Sequence, residues 1–287
     1  MTARAISVVV ATRDRPAALE RCLTALTWQT ERSLEIVVVD DASTDPAAVG
    51  AIVASVLGAA DPRLAALVVR GPGRGPATAR NLGAQVASGT VVCFTDDDCV
   101  ALPRWARRLA AACAPGAAAA GITIADPEAG RAAGASQLLT HTLQLASLDP
   151  ATGNLGFAPT CNLACHAEVL RRLPFDESFA LAAGEDRDWC ARLASAGVAL
   201  RFVPEALVEH RPQMGLSGLV RQQLRYGRGA VRFRGAGDGR RLSGAAFYRR
   251  LAREALAAGP VSAAFVGVAQ GAVATGALLE LLAPGRQ

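Results

Sequence analysis

Apolar and polar positions along this chain fall into blocks of two kinds. Residues 6–11 (ISVVVA) and 34–39 (LEIVVV) are short, continuous apolar runs rich in β-branched side chains. Strands buried on both faces of a parallel sheet have this form. Each run is followed by a stretch with helix-start signals, a short acidic side chain and a proline. Asp14 and Pro16 open a helix to about Thr27, and Asp45-Pro46 opens one through about Leu57. A third strand is predicted at 64–69, then a glycine-rich loop, then a helix from Pro76 to Ala87 closed by Ser88-Gly89. Val91–Thr95 is a fourth strand, and it runs straight into Asp96-Asp97-Asp98. Four strand–helix alternations predict an α/β domain with helices on both faces of a mostly parallel sheet. Ligands of such sheets bind beyond the carboxyl ends of the strands. Asp14, Asp40, Asp41 and the Asp96–Asp98 run all follow strands, so their side chains are expected at one edge.

The pattern loosens afterwards. Residues 117–165 show no clear period. Helix signals return at 166–173 and 185–196, with short strands near 199–203 and 206–209. After Pro212 come an arginine-rich helix at about 216–234, a glycine-rich hinge at 235–239 and 25 uncharged residues, 255–279. The expected division is a catalytic domain at 1–212 and a basic, apolar helical tail at 213–287.

Composition sharpens this. Apolar residues make up 51% of 287, enough for a sizeable core. The seven cysteines are odd in number, form no CxxC pair and follow no leader-like segment, which predicts reduced thiols in a cytoplasmic protein. The net charge of +5 is uneven: residues 1–210 hold 18 Arg and 22 acids, residues 211–287 hold 12 Arg and 3 acids, and there is no Lys. An acidic body with a basic tail predicts a tail that meets an anionic partner.

Three consecutive aspartates after a buried strand are costly, because like charges raise one another's pKa. A divalent cation relieves the cost, and hard oxygen ligands suit Mg²⁺ or Mn²⁺ shared with phosphate oxygens. The alternative is a solvated turn of capping acids. SVVVATRDRP (7–16), VVVDDASTD (37–45), GPATARNLGAQVASG (75–89) and VCFTDDDC (92–99), followed by FDESF (175–179), GEDRDWCARLASAG (184–197) and His210, occur in order. Together they resemble the signature of family 2 glycosyltransferases of the GT-A fold, over about residues 5–211.

The resemblance implies an inverting, metal-dependent sugar transfer from a nucleotide-sugar donor, most commonly UDP-linked. It implies that Asp41 accepts from the donor base, that Thr12 and Arg13 line the nucleotide pocket, and that Arg80 and Asn81 contact base or pyrophosphate. Asp96 and Asp98 take the acidic positions of the DxD motif around Asp97, the first near the ribose and the last on the metal. His210 completes the metal site. Asp186, beside Glu185, matches the catalytic base, and Asn162 and Trp189 fall toward the acceptor side. Chemistry agrees with this minimum kit: an in-line transfer needs a carboxylate to take the acceptor proton and positive charge on the departing diphosphate. The residue after the pair, Arg187, departs from the family's apolar preference, and 126–155 aligns with nothing in it.

Other functions share parts of the pattern. Gly71, Gly73 and Gly75 imitate a dinucleotide fingerprint, but the third glycine of G-x-G-x-x-G falls at Pro76 and the loop follows the third strand. A nucleotidyltransferase that makes sugar nucleotides would also use metal-binding acids on a similar sheet. Arg221, Arg225, Arg228 and Arg232 share one helix face, with Leu216, Val220, Leu224 and Val231 as the expected apolar stripe. No groove-reading or base-stacking motif accompanies them, so nucleic acid is not expected. An anionic acceptor, lipid-linked in one version, or an anionic membrane surface suits them better. Peripheral attachment to the inner face of the cell membrane is the matching expectation for 255–279.

Overall fold

The computed structural model describes residues 5–31, 33–58, 64–179, 183–235 and 244–283. The expected glycine hinge at 235–239 lies almost entirely outside them. The sheet strands are β1 (Ile6–Thr12), β2 (Leu34–Asp40), β3 (Ala65–Arg70), β4 (Val91–Asp96), β5 (Cys99–Ala101), β6 (Ala118–Ala125), β7 (Leu163–His166) and β8 (Leu200–His210). They form one sheet in the order β3-β2-β1-β4-β7-β6-β8-β5. β3, β2, β1 and β4 are parallel, as the apolar runs predict, and β6 pairs with β8 in parallel. β7 is antiparallel to β4 and β6, and β5 is antiparallel to β8, so the far half is mixed.

Helices cover both faces. On one side α1 (Pro16–Thr27), α2 (Pro46–Gly58) and α4 (Trp105–Ala112) bury Leu19, Leu23, Val53 and Trp105 against Val8, Val10, Ile36 and Val38. On the other, α3 (Pro76–Val86), α6 (Ala167–Arg172) and α7 (Glu185–Ser195) bury Ala79, Val169, Trp189 and Leu193 against Val9, Val37, Val39 and Phe94. Successive strand residues thus serve opposite cores, which is why the runs are apolar throughout. A third cluster joins α5 (Gly130–Ala146) to the tail helices α8 (Leu216–Gly235), α9 (Ala245–Ala257) and α10 (Pro260–Leu282), through Leu139, Leu219, Phe247, Leu251 and Val266.

Several expectations are corrected. The two short strands at 199–209 are one strand, β8, whose ladder with β6 shifts register beyond Ala120 and Phe202. Pro204 lies in the irregular part, where its missing N–H breaks no ladder bond. Asp14 does not cap α1: its backbone is left-handed (φ 52°) and its carboxylate accepts from Thr44 N at 2.7 Å. Asp45 does cap α2, accepting from Ala48 N at 3.1 Å. The buried stripe of α8 runs through Leu219, Gln223 and Ala230, whereas Leu216 is exposed and Leu224 faces a cavity. The stripe rotates because Gly227 of α8 and Gly276 of α10 lie backbone to backbone. A Cβ at either would strike the other helix, at Val273 O or Leu224 O.

Candidate functional site

The carboxyl ends of β1, β2 and β4 form one edge by register: Thr12 is level with Asp40, and Ala11 with Asp96. Behind this edge Asp41 is buried, and its two carboxylate oxygens accept from Gly73 N and Gly75 N, each at 2.8 Å. Those glycines have φ of 76° and 99°, a backbone that side chains other than glycine's rarely adopt. Asp41 therefore holds the loop before α3 in place, with lone pairs left for a ligand. Asp40 is held below the usual carboxylate range: burial opposes this, but Ser43 and the ion pair to Arg70 outweigh it. Arg13 is exposed beside the same loop.

The three aspartates after β4 have separate partners. Asp96 accepts from Arg80 Nη2 at 2.9 Å, and the same guanidinium donates to Glu185 Oε1 at 3.1 Å. Arg80 of α3 is itself buried, so it links the end of β4 to the start of α7. Asp97 accepts from Thr12 Oγ1 at 2.8 Å and from Arg15 Nη1 at 3.1 Å. Burial pushes Asp97 up to about 6; Arg15 opposes this and Asp98 adds to it. Asp98 also meets Arg15, at 3.2 Å, and lies 3.3 Å from His210 Nε2.

Asp98 and His210 meet because the chain after the aspartates turns back as β5. Cys99 pairs with His210 across the β5–β8 ladder, and Arg211 N donates to Asp98 O at 2.8 Å. His210 Nδ1 faces Gln137 Oε1 at 3.1 Å, and Gln137 Nε2 is anchored on Thr123 O at 2.8 Å. With the Gln137 amide so fixed, Nδ1 carries the proton and Nε2 is aimed at Asp98. Burial alone would keep the ring neutral, but the contact with Asp98 raises His210 to about 9. A carboxylate oxygen and an oriented imidazole nitrogen fit a divalent cation, and an outer partner such as Gln137 is the usual companion of a ligating histidine. Cys99 Sγ lies in the same group of donors, all within 4.8 Å. Its hydrogen bond to Cys161 and its burial hold it well above the usual thiol value, so it stays a neutral thiol.

Glu185 and Asp186 open α7 after Gly184, whose φ is 103°. Burial and then Asp186 push Glu185 up to about 7, against the pull of Arg80. Burial also raises Asp186, which is part-exposed and accepts from Arg187 N at 2.8 Å. Tyr226 of α8 lies over this group. Its phenol is pushed up by burial and by the charges of Asp186, Glu185 and Asp96, so it remains a proton donor.

Beside the site is a cavity of about 880 Å³. Asp98 and His210 line it together with Asp14 and Arg15, and α8 forms the opposite wall with Arg221, Arg225, Arg228 and Arg232. Of the expected site residues only Asp98 and His210 line the cavity; the others of the strand-end edge and Glu185-Asp186 stand outside its lining, and three more are committed to the core. Asn81 uses its whole amide on Phe175 N, Phe175 O and Glu177, pinning the 175–177 loop to α3. Asn162 is fully buried and latches Trp105 Nε1, Ile122 O and Ala206 O. Trp189 is fully buried, stacks on Phe175 at 4.9 Å and donates to Leu173 O. None of the three faces the cavity, because a satisfied amide or indole in the core has nothing left to offer a substrate. Arg15, Gln137 and Tyr226 were not expected. Arg15 sits two residues from Arg13 in the same motif, and Tyr226 directly follows Arg225 in the arginine row, which are the signals that point to them.

Known proteins resemble this chain in fold or in sequence. A mannosyltransferase from Pyrobaculum calidifontis, solved with GDP-Man and Mn²⁺, superposes with a TM-score of 0.63 at 21% identity, over 98% of this chain and 88% of that one. The glycosyltransferase AglE of Haloferax volcanii is 27% identical over 79% of this chain and 73% of its own length. The pre-mycofactocin glycosyltransferase of Mycobacterium tuberculosis is 29% identical over 79% of this chain and 47% of its own length, so the chain spans about half of that relative. The model of the family described as Glycosyl transferase family 2 matches residues 7–177, more than half of the chain. With a GT-A-like sheet carrying its acidic residues on one edge, the chain belongs to glycosyl transferase family 2.

Proposed function

We propose that the chain is a metal-dependent inverting glycosyltransferase that moves a sugar from a nucleotide-sugar donor to an acceptor hydroxyl. The observation that carries this is the Arg80 bridge, which ties Asp96 to Glu185 and so sets Asp186 beside the acidic strand ends. Thr12, Arg13, Asp41, Asp96 and Asp97 line the donor edge, with Arg80 holding Asp96. Asp98 and His210 would hold Mn²⁺ or Mg²⁺, which when bound supplies positive charge to the departing diphosphate. Asp186 takes the acceptor proton as the acceptor oxygen bonds to the anomeric carbon, and the bond from that carbon to the diphosphate oxygen breaks. A carboxylate raised by burial suits the task, since a base works best with a pKa near the operating pH. Glu185, fixed by Arg80, positions α7 and its neighbour.

The test is a panel of UDP-, GDP- and dTDP-sugars with Mn²⁺, read by release of nucleoside diphosphate and by the anomeric configuration of the product. UDP-sugars come first, with GDP-mannose beside them. Asp98→Asn and Asp186→Asn are expected to stop turnover while the fold persists. Release of inorganic pyrophosphate instead would identify a nucleotidyltransferase, and full turnover in EDTA would leave the aspartates structural.

The tail supports peripheral attachment to an anionic membrane face. α10 is long and apolar enough to cross a membrane, with mean hydropathy 1.6 and 22% of its most apolar stretch buried. Val266, Ala269, Ala272 and Gly276 bury its inner face, and Val261, Val268, Leu278 and Leu282 are exposed on the outer one. Arg249 and Arg253 are exposed just before it.

A further inference from the structure

The arginine cavity holds more positive charge than a donor diphosphate requires. Arg15 already pairs with Asp97 and Asp98, Arg211 with Asp126 and Glu209, and Arg232 with Glu280. Among the described residues, Arg21, Arg221 and Arg225 make no hydrogen bond or ion pair, yet all three line the same cavity. Unpaired like charges around a concave wall repel one another and focus a field that attracts anions. Their positions also exceed a diphosphate in reach. Arg21 stands six residues along α1 from Arg15, ~9 Å by helical rise. The row from Arg221 to Arg232 runs ~16 Å along α8. At the Asp98 end Arg15 already has two carboxylate partners, whereas Arg21 and Arg221 line the cavity with none among the described residues. Guanidinium groups from two helices that line one cavity are suited to a phosphate-class anion, which they contact through paired N–H donors.

We propose that Arg21 of α1 and Arg221 of α8 clamp a phosphate-class group carried by the acceptor, so that this enzyme's acceptor is anionic and enters over α8. The inference rests on the donor reading above, which accounts for the Asp98 end of the cavity. A volume of about 880 Å³ has room for the head of such an acceptor, and the cavity adjoins the donor edge through Asp98 and His210.

The test is calorimetric titration of the full chain in the presence of saturating UDP or GDP with Mn²⁺. The probes are a hexose 1-phosphate in solution and dodecyl phosphate in uncharged detergent micelles. Binding of either without displacement of the nucleotide is expected, and the micellar arm binding alone would identify a lipid phosphate as the source. The Arg21→Gln/Arg221→Gln double variant should bind the probe at least tenfold more weakly and bind the nucleotide within about twofold of the parent. Both side chains are unpaired, so folding should persist, and Arg21→Lys/Arg221→Lys should restore part of the affinity through charge. Probe binding that is absent, that displaces the nucleotide, or that the double variant leaves unchanged overturns the proposal. A chain that binds the phosphate probes but no nucleoside diphosphate with Mn²⁺ would sink the donor reading, and the acceptor assignment with it.

Discussion

Glu185 and Asp186 are neighbours in sequence but not in surroundings. Glu185 is buried on Arg80, and Asp186 is part-exposed with one backbone partner. Two such carboxylates lose their protons as a pair, in steps that belong to both. Burial raises both carboxyls and repulsion within the pair adds to this, so the pair holds a proton to higher pH than an isolated carboxylate would. With Asp186 as the proposed base, turnover should fall as the pH drops through the range, raised above that of an ordinary carboxylate, in which Asp186 takes up its proton. In Glu185→Gln that acid limb should move to lower pH, because Asp186 then titrates beside a neutral side chain; a limb that stays put would assign it elsewhere. Asp186→Asn should cost about 10²–10⁴-fold in turnover. In the proposed metal site Gln137 would stand one step behind His210, and Gln137→Ala should weaken Mn²⁺ binding by about 10–100-fold in a direct titration. Such outer residues were not legible in the sequence. Asp98 and His210 stand in motifs of fixed order, whereas Gln137 comes from a stretch with no period. Asn162 and Trp189 misled for the opposite reason: motif position placed them, and the hydrogen bonds that occupy them are visible only in three dimensions.

Among elements, the first four strands and their helices were readable because each strand is apolar throughout and each helix has a start signal. The middle was not. β6 is Ala-Ala-Ala-Gly-Ile-Thr-Ile-Ala, and alanine carries little strand preference. It is a strand because its small residues fit between β7 and β8, with Gly121 letting the Ala206 carbonyl and the Asn162 amide approach. α5 hid its amphipathic pattern because its buried face is partly polar. Ser136, Gln137, Thr142 and Gln144 are inside, and Gln137 and Gln144 donate to the β6 carbonyls of Thr123 and Gly121. Asn162 joins three elements, and Asn162→Ala strands the Trp105 indole and two carbonyls. Denaturant unfolding should show a loss of ~3 kcal/mol, given ~1–3 kcal/mol for each buried polar group left unsatisfied. Normal stability in that variant would mean that the latch is dispensable.

At the scale of the molecule, the uneven charge and the apolar tail act on the same side of the cleft. Arginines of α8 face the cavity, while the outer residues of α10 and the exposed Arg249 and Arg253 face away from the body. Each basic residue near an anionic leaflet contributes ~1 kcal/mol, so a few of them and one apolar face would give the proposed attachment a reversible character. The full chain should pellet with vesicles containing anionic lipid at low salt, and less so as salt rises. Removal of the residues after Pro212 should abolish pelleting. A full chain that stays in the supernatant at low salt would assign the outer face of α10 to another contact. The long uncharged run was legible, but the packing of one of its faces was not. Composition shows that a segment is apolar; only packing shows which of its faces is already spoken for.

The glycine contact between α8 and α10 has a consequence for selectivity. Gly227 and Gly276 let the two backbones touch, and Gly229 on α8 touches the carbonyl of Ala183, just before α7. α8 is thus seated between two hard stops and has no side-chain cushion to absorb a shift. The gape of the arginine cavity is set by the thickness of peptide backbone, a dimension that does not vary with rotamer or temperature in the way a leucine contact would. Gly276→Ala inserts a methyl-sized shim behind α8 and resets that calliper. The variant should change which acceptors fit more than it changes how tightly a nucleotide binds, and acceptor girth should be the property along which relatives with larger residues at these two positions diverge.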